Sequence, residues 1–389
     1  MNLGKINIVR KCMYDRKNVK YRRDLHQIPE LGFDLELTYA YVKEKLESFG
    51  YEPKTYAKTG LVAVKEGINK DAVGFRADMD ALPIKEDLNI EFKSRFDGRM
   101  HACAHDGHTS MLLGFAEYVS KLEMLNQSIV FIFQPAEEGP GGAKVMINEG
   151  VLKDYHVKSI FGLHIFPGLD EGKFGIISGP MLAGNAEFDF TVHGYASHGA
   201  QPQQGKDAVL AASGLVVGFS QIISKFIDPI EPAVISTGMI HGGDAKNVIS
   251  NHAHISGTMR SFNKVTFDIL KEKMLDTAKA VEIQYGVEVK GKFIDLYPPV
   301  NNDHHLYNIV KNMIDKDAIV HIKPYTFSED FAFYQKHIPG MFTFIGSRNT
   351  KKGYIYPLHN ERFNFDEKIL MNGLNYYIEL SKALGLFKV

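Results

Sequence analysis

The chain has 389 residues, more than one ordinary hydrophobic core fills, which argues for two domains. Its 44% hydrophobic and 23% charged content is that of a globular protein, and 45 basic against 46 acidic residues leave a net charge of −1. That balance excludes the strong basic excess of a nucleic-acid binder or of a protein held on an anionic membrane. No unbroken apolar run reaches the roughly 18 residues of a spanning helix. The opening stretch lacks a signal peptide's long uncharged run, and Cys12 and Cys103 are too far apart to suggest a disulfide framework, so a cytoplasmic protein is expected.

In chain order, "DRKNVKYRRDLHQIPELGF" predicts a helix stopped near Pro29, and a second helix spans about Glu36 to Phe49, ended by Gly50. "GLVAVKEG" and "AVGFRADMD" read as strands. "DGHTSMLLGFAEYVSKLE" has apolar residues at helical spacing, "SIVFIFQPAEEG" is a strand running into a loop, and "KSIFGLHIFP" is a short apolar strand. Strands alternating with helices predict a largely parallel α/β sheet. Near Gly184 the pattern changes. "AEFDFTVHG" alternates as a half-buried strand does, followed by a helix over about Asp207 to Lys225. Strands "AVISTGMIHG" and "AHISGTMRSF", a helix over about Lys264 to Gln284 and the strand "GVEVKGKFID" complete a β-α-β-β-α-β order. The expected architecture is therefore a split α/β domain, residues 1–184 and 297–389, interrupted by a ferredoxin-like domain over 185–296.

Chemistry concentrates in a few stretches. In "HACAHDGH", five of eight residues, His101, Cys103, His105, Asp106 and His108, are of metal-binding type, without a CxxC or HExxH spacing. "PAEEG" sets Glu137 and Glu138 just after a very apolar strand. An adjacent acidic pair is ordinarily solvated surface charge, but the C-terminal end of a buried strand is where α/β sheets put ligands. There one carboxylate can hold a metal while the other moves protons. His164 lies inside an apolar strand, a position where a histidine is more often a hydrogen-bonded core residue. His359 lies in a loop before the last helix and means little by itself. Together Cys103, His105, Glu138, His164 and His359 offer thiolate, imidazole and carboxylate, a set suited to zinc or a neighbouring transition metal, and more ligands than one catalytic zinc uses.

The ordered motifs "RRDLHQIPELGF", "FRADMDALPI", "MHACAHDGHT", "FQPAEEGPGGAKVMI", "FGLH", "GGDAKNVI", "GTMR", "SEDFAFY" and "PLHNERF" cover nearly the whole chain. In them the chain resembles the amidohydrolase branch of the M20 metallopeptidases. The resemblance implies a dinuclear site holding two divalent ions, zinc or manganese, with nickel or cobalt as alternatives. It implies Cys103 as the bridging thiolate, His105 and His164 on one ion, and Glu138 and His359 on the other. Glu137 would be the general base, and Asp78 would orient a ligand histidine. His101, Asp106 and His108 would lie behind the ligands. On the inserted domain, His198 matches a histidine that reaches the substrate carbonyl, in several dimeric members from the opposite subunit. Asn247 and Arg260 match residues that hold the substrate carboxylate, for which the forked guanidinium suits.

Two departures from the family pattern stand out. Ala104 replaces a glycine between Cys103 and His105. "SHGAQPQ" replaces "GGHAAxPH", with Ser197 for glycine, Gly199 for alanine and Gln203 for histidine. The implied activity is hydrolysis of a small-molecule N-acyl amino acid, with an N-acetyldiaminopimelate deacetylase or a dipeptidase as alternatives, and a homodimer formed through the inserted domain. A cysteine hydrolase using Cys103 and His105 would leave the glutamates and distant histidines idle. A catalytically dead binding protein would have no need of Glu137.

Overall fold

A computed structural model describes residues 16–387; Cys12 lies outside the described residues. The chain divides into two compact units. The first holds Met1–Gly179, Asn301–Lys323 and Asp330–Val389, and the second holds Pro180–Val300 and Pro324–Glu329. The elements, in chain order, are helix α1 (residues 16–26) and helix α2 (Glu36–Ser48), then strands β1 (Lys54–Tyr56), β2 (Gly60–Lys65) and β3 (Asn69–Asp78). Helix α3 (His105–Ser120), strands β4 (Gln127–Gln134), β5 (Val157–Asp170) and β6 (Phe174–Ile176) follow. Next come β7 (Gly184–His193), α4 (Ala208–Phe226), β8 (Ala233–Gly242), β9 (His252–Ser261), α5 (Lys264–Tyr285) and β10 (Glu288–Asp295). The chain closes with β11 (Ile319–His321), β12 (Gly340–Arg348) and α6 (Ile369–Ala383).

The first unit is built on an eight-stranded sheet in the order β1-β2-β4-β3-β5-β12-β6-β11. Its centre is parallel: β3 pairs with β4 and β5, and β5 with β12, while β1, β2 and the β12–β6 contact are antiparallel. The continuous apolar run of β4 is buried at seven of eight positions, as a strand covered on both faces must be. Helix α3 packs its middle onto this sheet. Phe115 lies edge-on to Phe75, with centroids 4.9 Å apart, and stacks against Tyr377 of α6 at 5.4 Å. At the start of α3 the contact is closer still. A Cβ on Gly107 would fall 2.6 Å from Ile165 Cδ1 and 2.9 Å from Phe365 Cζ, so any larger residue would have to displace those side chains.

The second unit is a four-stranded antiparallel sheet in the order β8-β9-β7-β10, with α4 and α5 packed beside each other over a core of Phe188, Phe190, Phe219 and Ile255. Residues 324–329 cluster with this unit although the sequence put everything from 297 onward in the first. Tyr325 bridges to Leu182, and its carbonyl accepts from the Ala183 amide. Helix α4 is long and apolar enough to cross a membrane by length and composition alone. One face of it packs within the unit, burying Ala208, Ala211, Ala212, Leu215, Phe219 and Ile222.

Candidate metal centre

The C-terminal ends of β3, β4 and β5 converge with the first turn of α3, and four segments deliver donor atoms there. Cys103 and His105 flank the helix start. Glu137 and Glu138 follow β4. His164 lies within β5, and His359 comes from the loop before α6. Donor atoms of Cys103, His105 and His164 lie within 4.8 Å of one another, and so do those of Cys103, Glu138 and His359. The two triads share one atom, the Cys103 sulfur. Glu137 forms a further group of the same span with His105 and Glu138.

The histidine tautomers follow from the hydrogen bonds. His105 Nδ1 donates to the Asp80 carbonyl at 2.8 Å, and its buried Nε2 has no hydrogen-bond partner. His164 Nδ1 donates to the Ile165 carbonyl at 2.8 Å and turns Nε2 toward Cys103 Sγ, 3.6 Å away. His359 Nε2 stands 3.1 Å from Glu138 Oε1, on the side open to solvent. An imidazole whose far nitrogen is engaged by the protein presents a fixed, basic ligand.

Three of the six non-glycine residues with positive φ among those described lie at these joints. Ala104 (φ 65°) caps α3, Ala136 (φ 56°) precedes Glu137, and His359 has φ 63°. Each left-handed residue costs about 1–2 kcal/mol. Ala104 occupies the position where the family carries glycine, and its φ shows why glycine suits it. His359 is held in place by its own amide, which donates to the Ala102 carbonyl at 2.9 Å.

Charge makes the site unbalanced without a cation. Burial pushes the Cys103 thiol well above its ordinary range, and Glu138 and Glu137 push it further. Burial by itself would lower the His105 pKa, but Asp78 and Asp80 outweigh it and lift it to about 10. Burial opposes ionisation of Glu138, yet His359 and His105 hold it below the ordinary carboxylate range. Burial and the neighbouring His108 keep His164 neutral. An unpartnered imidazole nitrogen, a thiol and crowded carboxylates fit a bound divalent ion, which would draw the proton from the thiol and offset the anionic charge.

The structure corrects the expectation for Asp78 and adds residues that the sequence reading passed over. Asp78 Oδ1 accepts from His108 Nδ1 at 2.7 Å, whereas its distance to His105 Nε2 is 3.8 Å, too long for a hydrogen bond. The group that orients His105 is Asp80. Its carboxylate also accepts from the backbone amides of Glu137 and Glu138, each at 3.0 Å, and so fixes the loop that carries both acids. Arg76 is buried beneath, donating to Asp78 at 2.7 Å and Asp330 at 2.8 Å. Arg76, Asp78 and Asp80 alternate along one buried strand end. Polar residues at period two in an otherwise apolar strand were the signal available.

The remaining candidates lie on the second unit. His198 is exposed, and its Nδ1 accepts from the Ala200 amide at 3.1 Å. Its strand pairs with Val248–Ile249, which brings it beside Asn247. A Cβ on Gly199 would meet the Asn247 carbonyl oxygen at 2.8 Å, which accounts for glycine at this departure from the family pattern. Arg260 lies apart on β9, where it donates to the Thr326 carbonyl at 2.9 Å and to Ser328 Oγ at 3.1 Å.

Comparison with known proteins is consistent across the chain. The profile of peptidase family M20/M25/M40 matches residues 74–383. A protein of Staphylococcus epidermidis named only as an uncharacterized hydrolase is 38% identical over 368 residues, 92% of this chain and 96% of its own. The Bacillus subtilis YXEP protein, described as a dinuclear metal binding peptidase of the M20 family, superposes with a TM-score of 0.84 at 32% identity, over 96% of this chain and 99% of that one. A crystal structure from methicillin-resistant Staphylococcus aureus matches with a TM-score of 0.91 at 32% identity, over 97% and 98% of the two chains.

Because the metal-free site holds a protonated thiol and a protonated His105, zinc binding at pH 7 should release about two protons per chain. Metal affinity should therefore rise with pH. The sign for the metal-free fold is opposite. The raised His105 pKa contributes stability below the ordinary value of 6.5, and that contribution is lost as pH climbs toward about 10. Calorimetric titration in buffers of different ionisation heat reads the protons directly. Binding heats independent of buffer would contradict the assignment.

Proposed function

Because the chain belongs to peptidase family M20/M25/M40, we propose that it is a metal-dependent amidohydrolase that splits N-acyl amino acids into a carboxylate and a free amino acid. The observation that carries this reading is the pair of donor triads joined at Cys103, with Glu137 beside them. Two divalent ions, zinc or manganese, would be held by Cys103, His105 and His164 and by Cys103, Glu138 and His359. Bound there, they supply a water of lowered pKa and a Lewis-acid contact for the amide carbonyl.

The chain's own residues do the rest. Glu137 is buried, is held by its backbone amide on Asp80, and has its carboxylate 4.0 Å from His105 Nε2. It accepts a proton from the attacking water and returns it to the departing amine, the two halves of general acid–base catalysis. The family resemblance assigns His198 to the substrate carbonyl, and Asn247 and Arg260 to the substrate carboxylate. N-acetyldiaminopimelate and dipeptides would be cleaved by the same steps and differ only in how the amino-acid side is read.

The test is a panel of N-acetyl and N-benzoyl amino acids, N-acetyl-diamino acids and dipeptides, with release of free amine as the readout. Glu137→Gln should keep its metal and lose about 100- to 10,000-fold in turnover, whereas Glu138→Gln should weaken metal binding. Equal metal loss in both variants, or turnover retained in Glu137→Gln, would contradict the division of labour. Arg260→Ala should lower kcat/KM by about 2–5 kcal/mol on the N-acyl amino acid and much less on the corresponding amide. An equal loss on both substrates would leave Arg260 a structural residue tied to Thr326 and Ser328.

The same reading includes a homodimer formed through the second unit. Strand β8 is an outer strand with Met239 and Ile240 exposed, and α4 leaves Leu210 and Val217 uncovered. An apolar edge of this kind suits pairing with its own copy about a two-fold axis. Sedimentation equilibrium should give twice the chain mass and fall toward one chain in Val217→Glu. A wild-type protein sedimenting as a single chain would contradict the dimer.

A further inference from the structure

The parallel ladder between β3 and β5 stops early. Its last pair is Arg76 with Gly162, although β3 continues against β4 to Asp78 with Gln134, and β5 continues against β12 through Phe166 with Gly346. The sheet therefore opens between β3 and β5 just where His164 stands. Ile165 pairs with Ile345 of β12 in register, but its amide N–H has no β3 strand to meet and donates instead to His108 Nε2 at 2.8 Å. Its carbonyl takes the proton of His164 Nδ1. Buried backbone groups need partners, and here two imidazoles substitute for a missing strand.

We propose that His108 is a positioning residue that sets His164 by gripping the Ile165 peptide, an inference that rests on reading His164 as a metal ligand. His108 has one arrangement open to it. The Ile165 amide can only donate, so Nε2 must accept; Nδ1 must then carry the proton, and it donates to Asp78 Oδ1 at 2.7 Å. Asp78 is itself anchored by Arg76. His108 also lies against the His164 ring, with centroids 4.3 Å apart. The route from strand β3 to the ligand is thus Arg76, Asp78, His108, the Ile165 peptide and His164. Gly107 adjoins it, since a Cβ there would press on the Ile165 side chain at 2.6 Å. The contacts that make up this route lead to His164 rather than to Glu138 or His359, so the link should serve one triad and spare the other.

The two nitrogens of His108 can be separated by mutation. In His108→Gln the amide oxygen can take the place of Nε2 and still accept from Ile165. In His108→Asn the shorter amide can replace Nδ1 toward Asp78 but does not reach Ile165. His108→Phe removes both contacts and keeps the ring. Metal-free full-length proteins would be titrated with Co²⁺ alone, followed by calorimetry and visible absorption, with thermal melts of the metal-free forms alongside. Wild type should take two equivalents. The Asn and Phe variants should lose about 10- to 100-fold in affinity for one equivalent, the usual cost of removing a group that orients a ligand, and keep the other. The Gln variant should stay close to wild type. If Gln loses as much as Asn while their melts agree, or if Phe binds both equivalents as wild type does, the inference is overturned. If wild type takes a single equivalent, the two-ion reading fails; a loss of that equivalent in Asn and Phe still upholds the link to His164, and no loss overturns it.

Discussion

A buried thiol enclosed by carboxylates is the constraint from which the rest of this structure follows. Cys103 lies within reach of His164, Glu138 and His359, and neither of its charge states is comfortable among them without a cation. As a thiolate it adds a charge to an acidic pocket. As a thiol it leaves the buried His105 Nε2 with no hydrogen-bond partner. A divalent ion resolves both problems at once, and the sharing of one sulfur by two triads makes room for a second ion.

Holding such a cluster requires backbone that would not arise from sheet and helix alone. Ala104, Ala136 and His359 adopt left-handed conformations at three separate joints, and each is fixed by surrounding hydrogen bonds. Strain of this kind persists where the neighbourhood over-determines the conformation, and it clusters at functional sites. The early end of the β3–β5 ladder belongs to the same pattern. The sheet gives up regular pairing to open a crevice at its C-terminal edge, and side chains satisfy the groups left behind.

Much of this was legible in the sequence, for reasons that also explain what was not. The strands and long helices were readable because their burial follows period two or 3.6, as in the alternation of β7 or the face of α4, or forms one continuous apolar run, as in β4. The candidate donor residues stand out because thiol, imidazole and carboxylate types recur in ordered motifs. The contacts of the supporting residues were not readable. Asp80 acts through contacts with residues 25 to 58 positions away, and His108 acts through a backbone amide, which no side-chain pattern marks. Asp78 drew attention for its type, but the histidine it holds is decided by geometry. The return of residues 324–329 to the second unit rests on a short bridge at Tyr325 and on the Arg260 contacts with Thr326 and Ser328, and leaves no periodic trace.

The central claim, that one sulfur serves two metal sites, is tested most directly by anomalous diffraction from crystals grown with zinc or manganese. The account predicts two anomalous peaks per chain, both within coordinating distance of Cys103 Sγ, one also against His105 and His164 and the other against Glu138 and His359. A single peak, or two peaks of which one does not touch Cys103, would contradict it.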